Sequence, residues 1–125
     1  MTLRRGFTLI ELLVVMAIVA TLLTIAVPRY FGSVEKSREA ALKQTLAVTR
    51  DAIDKYHGDH GRYPPNLHEL VARHYMRRMP VDPITESDAT WVVVPAGETG
   101  IGGDVLDVKS GAPGKSTEGT AYAEW

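Results

Sequence analysis

The sequence predicts an α+β fold: a long amino-terminal α-helix, transmembrane in its first half and amphipathic in its second, packed on a small antiparallel β-sheet. Three observations carry this. Residues 7–27 contain one charged side chain, Glu11, in 21 positions. Beyond them, apolar residues recur at helical spacing as far as Tyr56. The last third then turns to short β-rich stretches divided by Gly and Pro. The chain divides accordingly into residues 1–6, 7–28, 29–57 and 58–125.

At about 1.5 Å per residue, the apolar run 7–27 spans roughly 30 Å as a helix, the thickness of a bilayer's hydrocarbon core. Its threonines do not interrupt it, because a Thr hydroxyl can be returned to the helix backbone. Arg4 and Arg5 before it predict a cytoplasmic amino terminus, with the rest of the chain across the membrane. A secretory signal peptide has a shorter apolar core and a small-residue cleavage site after it, so this run reads as an anchor instead. Glu11 is then anomalous, since a charge near the bilayer centre costs about 2.5–3.5 kcal/mol on insertion scales. Pro28 removes one helical hydrogen bond and its ring crowds the preceding turn, which predicts a kink or loosened helix over 24–32.

Helical periodicity resumes afterwards. Leu42, Leu46, Ile53 and Tyr56 form one stripe, with Thr45, Val48 and Ala52 beside it and charged residues on the other faces. The stretch HGDHGRYPP, residues 57–65, ends the helix with two glycines and two prolines. NLHELVARHYMRR (66–78) reads as a second helix capped by Asn66, with Glu69 as capping-box partner and Leu67, Leu70, Val71 and His74 on its buried face. Strands are expected at 90–95 and 104–110, joined by a hairpin-type connection, with 120–125 as a third strand. Trp91, the tyrosines and the valines are the expected core, with Trp125 anchoring the end.

Charge is unevenly placed. Residues 29–79 carry ten Lys/Arg against six Asp/Glu, a balance of +4, whereas residues 80–125 carry two against eight, a balance of −6. Such a division favours head-to-tail contact between copies, or is ordinary solvated surface. The absence of cysteine excludes disulfides, thiolate metal sites and thiol catalysis. His57, His60, His68 and His74 lack the spacing of a zinc site. Gly102-Gly103 is not followed by the Lys and Ser/Thr of a phosphate cradle. Arg77 and Arg78 beside Tyr75 are too few for a nucleic-acid stripe, and no nucleic-acid partner is expected. No Ser/His/Asp arrangement can be placed, so no catalytic residue is assigned and the chain is not expected to be an enzyme.

RRGFTLIELLVVMAIVATLLTIAVP, residues 4–28, resembles the amino-terminal signature of the type IV pilin superfamily: a short basic leader ending in Gly6, then Phe7, Glu11, an apolar helix and Pro28. The resemblance implies that a prepilin peptidase cuts between Gly6 and Phe7 and methylates the new amine on Phe7. It also implies that mature subunits polymerise with their apolar helices at the filament centre. Chemistry gives Glu11 a partner there. An α-amino group, of pKa about 8, is largely protonated at neutral pH. Paired with the Glu11 carboxylate of a neighbouring subunit, it offsets two charges that are each costly alone and fixes the helices' axial register.

YHGDHGRYPPNLHEL, then DP, DVKSG and a terminal YAEW, is most similar to the major (G-type) pseudopilins of type II secretion systems. That resemblance implies a single-pass protein of the bacterial inner membrane with a periplasmic carboxy-terminal domain. It implies a periplasmic filament that drives protein export. Its partners are copies of itself, the prepilin peptidase, minor pseudopilins or pilins, an inner-membrane assembly platform and the lipid bilayer. A subunit of a surface type IV pilus for adhesion, motility or DNA uptake is the alternative filament. A non-polymerising single-pass periplasmic module is the alternative outside the filament class. No cofactor is firm. Major pseudopilins resemble one another in a calcium site before the last strand, and calcium takes six to eight oxygens. Asp104, Asp107, Ser110 and Glu118 are the candidate ligands, although Pro113 stands about where the family pattern places an Asp. The other reading of these acids is a solvated hairpin.

Overall fold

In the computed structural model, residues 4–97 and 104–125 are described. Helix α1 (Leu9–His60) is followed by a short α2 (Leu67–Ala72), strands β1 (Val92–Pro95) and β2 (Val105–Lys109), and a closing 3₁₀ turn, Tyr122–Glu124. The architecture is the expected α+β, a long amino-terminal helix with a small antiparallel sheet. The chain forms two compact units, Met1–Glu35 and Lys36–Trp125.

The first unit is helix from Leu9 onward, and its large apolar side chains from Phe7 to Phe31 are exposed. This stretch is long and apolar enough to cross a membrane. Thr21 returns its hydroxyl to the carbonyl of Ala17 at 2.8 Å, and Thr24 to that of Thr21 at 2.6 Å, as the sequence leads one to expect. The helix runs through Pro28, so 24–32, where a kink or loosening was expected, remains helical. Proline removes one donor, but the hydrogen bonds of the turns on either side keep their partners.

The second unit is built around the stripe of α1. Leu42, Leu46, Ala52, Ile53 and Tyr56 are buried with Leu67 and Leu70 of α2, Val105 and Val108 of β2, and Ala112 and Tyr122. Val48, expected beside the stripe, stays half-exposed, and Thr49 is buried in its place. α2 begins as predicted, with Asn66 Oδ1 accepting from the Glu69 amide at 2.9 Å. The capping box does not close, because the Glu69 carboxylate instead accepts from Arg73 Nε at 3.0 Å. α2 also stops at Ala72 rather than running to 78. His74 takes φ 63° while the amides of His74 and Tyr75 bond back to the carbonyls of Val71 and Leu70. This is a Schellman ending, with a histidine where glycine is usual. His74 is consequently exposed, not part of the buried face.

β1 and β2 pair antiparallel, Val92 opposite Lys109 and Val94 opposite Asp107, with an irregularity before Pro95. Val92 and Val93 are exposed rather than core, and Trp91 is half-buried with its indole N–H donating to the Pro80 carbonyl at 2.8 Å. Most of the expected connection between the strands, including Gly102-Gly103, lies outside the described residues. The third strand is not formed. Residues 120–125 make one isolated bridge, Lys115 with Ala121, and then the 3₁₀ turn. Left-handed Gly114 and Gly119 fold this segment back on itself. The amides of Tyr122, Glu124 and Trp125 therefore bond locally, to Gly114, Ala121 and Tyr122, rather than to a neighbouring strand. Trp125 still anchors the end, edge-on to Tyr122 and beneath Lys43.

Candidate processing and assembly site

The amino-terminal segment is exposed up to the start of α1. Residues 4–8 adopt no regular structure before α1 begins. Phe7 is 83% exposed, and nothing lies within 4 Å of where a Cβ on Gly6 would stand. The bond between Gly6 and Phe7 that the resemblance singles out thus lies in exposed chain without regular structure, immediately before the helix.

Glu11 lies in the first turn of α1, exposed in the isolated subunit. The Thr8 hydroxyl accepts from the Glu11 amide at 3.2 Å, and the Glu11 carboxylate receives the Thr8 amide at 3.5 Å. Thr8 and Glu11 therefore form a capping box, and its carboxylate limb is long and weak. The T-x-x-E spacing in FTLIE signals this arrangement, which sequence reasoning about Glu11 alone overlooks. The local role is compatible with a stronger partner, since so long a contact is readily exchanged.

The calcium candidates are not gathered. Asp107 Oδ1 accepts from Arg50 Nε and from the Val108 amide, both at 2.7 Å, while Arg50 Nη2 reaches the Val108 carbonyl at 3.0 Å. Ser110 is fully buried, donates to Asp82 Oδ2 at 2.5 Å and accepts from the Ala112 amide. Glu118 is exposed and Asp104 is half-buried at the entry to β2. Among the described residues, no group of three or more His, Asp or Glu is placed to hold a metal ion. The donor set as folded does not fit calcium, because Asp107 is neutralised by an arginine and Ser110 is occupied by another carboxylate.

Two buried carboxylates that sequence reasoning missed organise this unit. Asp82, with 0% exposure, accepts from the amides of Ile84 and Thr85 as well as from Ser110, tying the 80–87 turn to the end of β2. Glu39, 6% exposed, receives three donors from the carboxy-terminal segment. Burial pushes its carboxyl up, but hydrogen bonds from Thr117 and Tyr122, with Lys43 nearby, bring it net below the ordinary value. Its place was legible: Glu39 precedes Leu42 by three and Leu46 by seven, so it falls on the apolar stripe. The histidines make aromatic contacts, His57 stacked on Tyr63 at 4.2 Å and His60 against Tyr56 at 4.3 Å.

Comparison with known proteins agrees with this arrangement. Residues 1–27 match the prokaryotic N-terminal methylation motif. Type II secretion system core protein G of Escherichia coli (strain K12) is 31% identical over 113 residues, covering 78% of this chain and 76% of that protein. Its counterpart in Klebsiella pneumoniae is 31% identical over 96 residues, 64% of this chain and 69% of the relative. Type IV major pilin protein PilE1 of Neisseria gonorrhoeae is 35% identical over 65 residues, but that covers 52% of this chain and 39% of the pilin. No solved structure gives a significant match. Likeness to the pilin covers about half the chain, whereas likeness to core protein G takes in most of it, and the chain therefore belongs to the G-type pseudopilins of the type IV pilin superfamily.

Proposed function

We propose that this chain is the filament-forming subunit of a type II secretion system, held in the bacterial inner membrane by residues 7–28 until it polymerises into a periplasmic filament that drives protein export. One observation carries the reading: similarity to core protein G runs over 113 residues, well beyond the methylation motif at 1–27. The exposed apolar surface of the first unit supports it, since that surface needs lipid or neighbouring helices around it. The amino terminus lies on the cytoplasmic side, as Arg4 and Arg5 favour, and the carboxy-terminal unit is periplasmic. A prepilin peptidase cuts between Gly6 and Phe7 and methylates Phe7. Minor pseudopilins and an inner-membrane assembly platform complete its partners. Its work is mechanical, and no residue is assigned a catalytic role.

Mass spectrometry of the chain from native membranes tests this. The expected mass is that of a chain beginning at N-methylated Phe7, and Gly6→Val is expected to keep the leader, because a branched side chain obstructs the close backbone approach that glycine permits. A Met1 terminus on wild-type protein would overturn the assignment. Deletion of the gene is expected to abolish export while leaving surface fibres unaffected; loss of surface fibres with normal export would instead make the chain a pilus subunit.

A further inference from the structure

The resemblance to major pseudopilins brings with it a calcium ion in the segment before the carboxy terminus, and two of the four candidate ligands, Asp107 and Ser110, are engaged elsewhere. Something else must hold residues 110–125, a segment with little regular structure of its own. Glu39 is placed to do so. Its Oε1 accepts from the Thr117 amide at 2.7 Å and from the Tyr122 hydroxyl at 3.0 Å, and its Oε2 accepts from the Thr117 hydroxyl at 2.8 Å. These donors lie 78 and 83 residues away in sequence. Around Thr117 the segment is closed by Ser116, whose amide donates to the Thr120 carbonyl at 2.7 Å and whose hydroxyl accepts from the Glu118 and Thr120 amides.

We propose that the carboxy-terminal segment is locked onto α1 by the Glu39 carboxylate in place of a divalent cation, so that this pseudopilin folds without calcium. The two devices do the same mechanical work with opposite polarity. A cation draws carboxylates and carbonyls to one point, whereas a buried carboxylate draws N–H and O–H donors, and charge-assisted bonds of this kind are among the stronger ones. The composition of the segment matches the second device. Residues 110–125 contain only two acids, Glu118 and Glu124, against Ser, Thr and Tyr hydroxyls and Lys115. Pro113 stands about where the resemblance would place an Asp. The hollow beside the lock, about 430 Å³, is lined by Lys36 and Lys43 together with Glu39 and Glu118. Lys43 supplies counter-charge to the Glu39 carboxylate. A buried carboxylate stripped of its donors is costly, so the lock forms as one unit with the folded segment.

The test is thermal unfolding of the full-length chain in detergent, followed by tryptophan fluorescence, with added calcium and with a chelator. The expected result is the same melting temperature in both. Glu39→Gln is expected to lower it by roughly 5 °C or more, equally in both conditions, and to expose the 110–120 segment to limited proteolysis. Thr117→Val, which removes the hydroxyl but keeps the amide, is expected to produce a smaller shift in the same direction. A wild-type melting temperature that rises with calcium would overturn the proposal, as would wild-type stability and protease resistance in Glu39→Gln. Should Glu39→Gln fail to fold, the wild-type comparison and Thr117→Val still decide. The readout is unfolding of the subunit, so its outcome is independent of whether the filament serves secretion.

Discussion

Glu11 has one role in the isolated subunit and a second in the proposed filament. In the isolated subunit it closes a weak capping box with Thr8, satisfying amides that the start of a helix leaves free. In the proposed filament it balances the Phe7 amine of a neighbour. The two roles predict different losses. Glu11→Leu makes the run more apolar, so membrane partitioning is expected to be unchanged or better, and cleavage after Gly6 is expected to persist. Filaments are expected to be lost or severely reduced, because a terminal cation is then buried without its partner and register is no longer set. Glu11→Asp keeps the charge with one methylene less reach and is expected to fall between. Filament yield after shearing, read beside a membrane-fraction blot, separates assembly from insertion. Abundant filaments of normal form from Glu11→Leu would show that the pairing is dispensable.

Among the elements, the endings are set by single backbone positions. α2 ends at a left-handed His74, where a Cβ costs about 1–2 kcal/mol that glycine avoids. Glycine returns part of that gain through its larger unfolded-state entropy. His74→Gly is therefore expected to stabilise the chain by up to about 1 kcal/mol, raising the melting temperature by a few degrees. Gly111, just after β2, is the opposite case. A Cβ there would stand 1.9 Å from the carbonyl oxygen of Thr90, which is main chain and has no rotamer by which to withdraw. Gly111→Ala must push the strand ends apart and is expected to cost about 1–3 kcal/mol. Calorimetry of the two variants side by side checks both signs, and a neutral Gly111→Ala would mean that the two segments separate easily.

For the whole molecule, the division into two units has a direct consequence. The core of the second unit is drawn entirely from residues between Leu42 and Tyr122, and Arg50 joins α1 to β2 through Asp107 without help from the apolar segment. A chain comprising Lys36–Trp125 is therefore expected to be soluble without detergent and to unfold cooperatively. Its melting temperature should lie within a few degrees of that of the full-length chain in detergent. Circular dichroism with analytical ultracentrifugation measures this. A fragment that aggregates or melts without a transition would show that the first unit contributes to the stability of the second. The full-length chain without detergent is expected to associate through its exposed apolar surface.

Much of this was legible in the sequence, wherever one local rule acts alone. The apolar run 7–27, the stripe through Leu42, Leu46, Ile53 and Tyr56, and the Asn66 cap follow from side-chain period and capping chemistry, which tertiary contacts did not override. The motif at residues 1–27 was legible because a charge inside an apolar run has few explanations. Other features were decided by tertiary structure. The early end of α2 carried no glycine to announce it, and the histidine there is held left-handed by backbone bonds to Leu70 and Val71. The alternation in residues 120–125 suggested a strand, but glycine turns and the pull of Glu39 on Tyr122 folded that segment against the helix. Asp107 was a candidate cation ligand by composition, and only the fold sets Arg50 against it across 57 residues. Periodicity and caps depend on neighbours a few residues away and are written in the chain, whereas the partner of a carboxylate is set by which distant segments the fold brings within 3 Å.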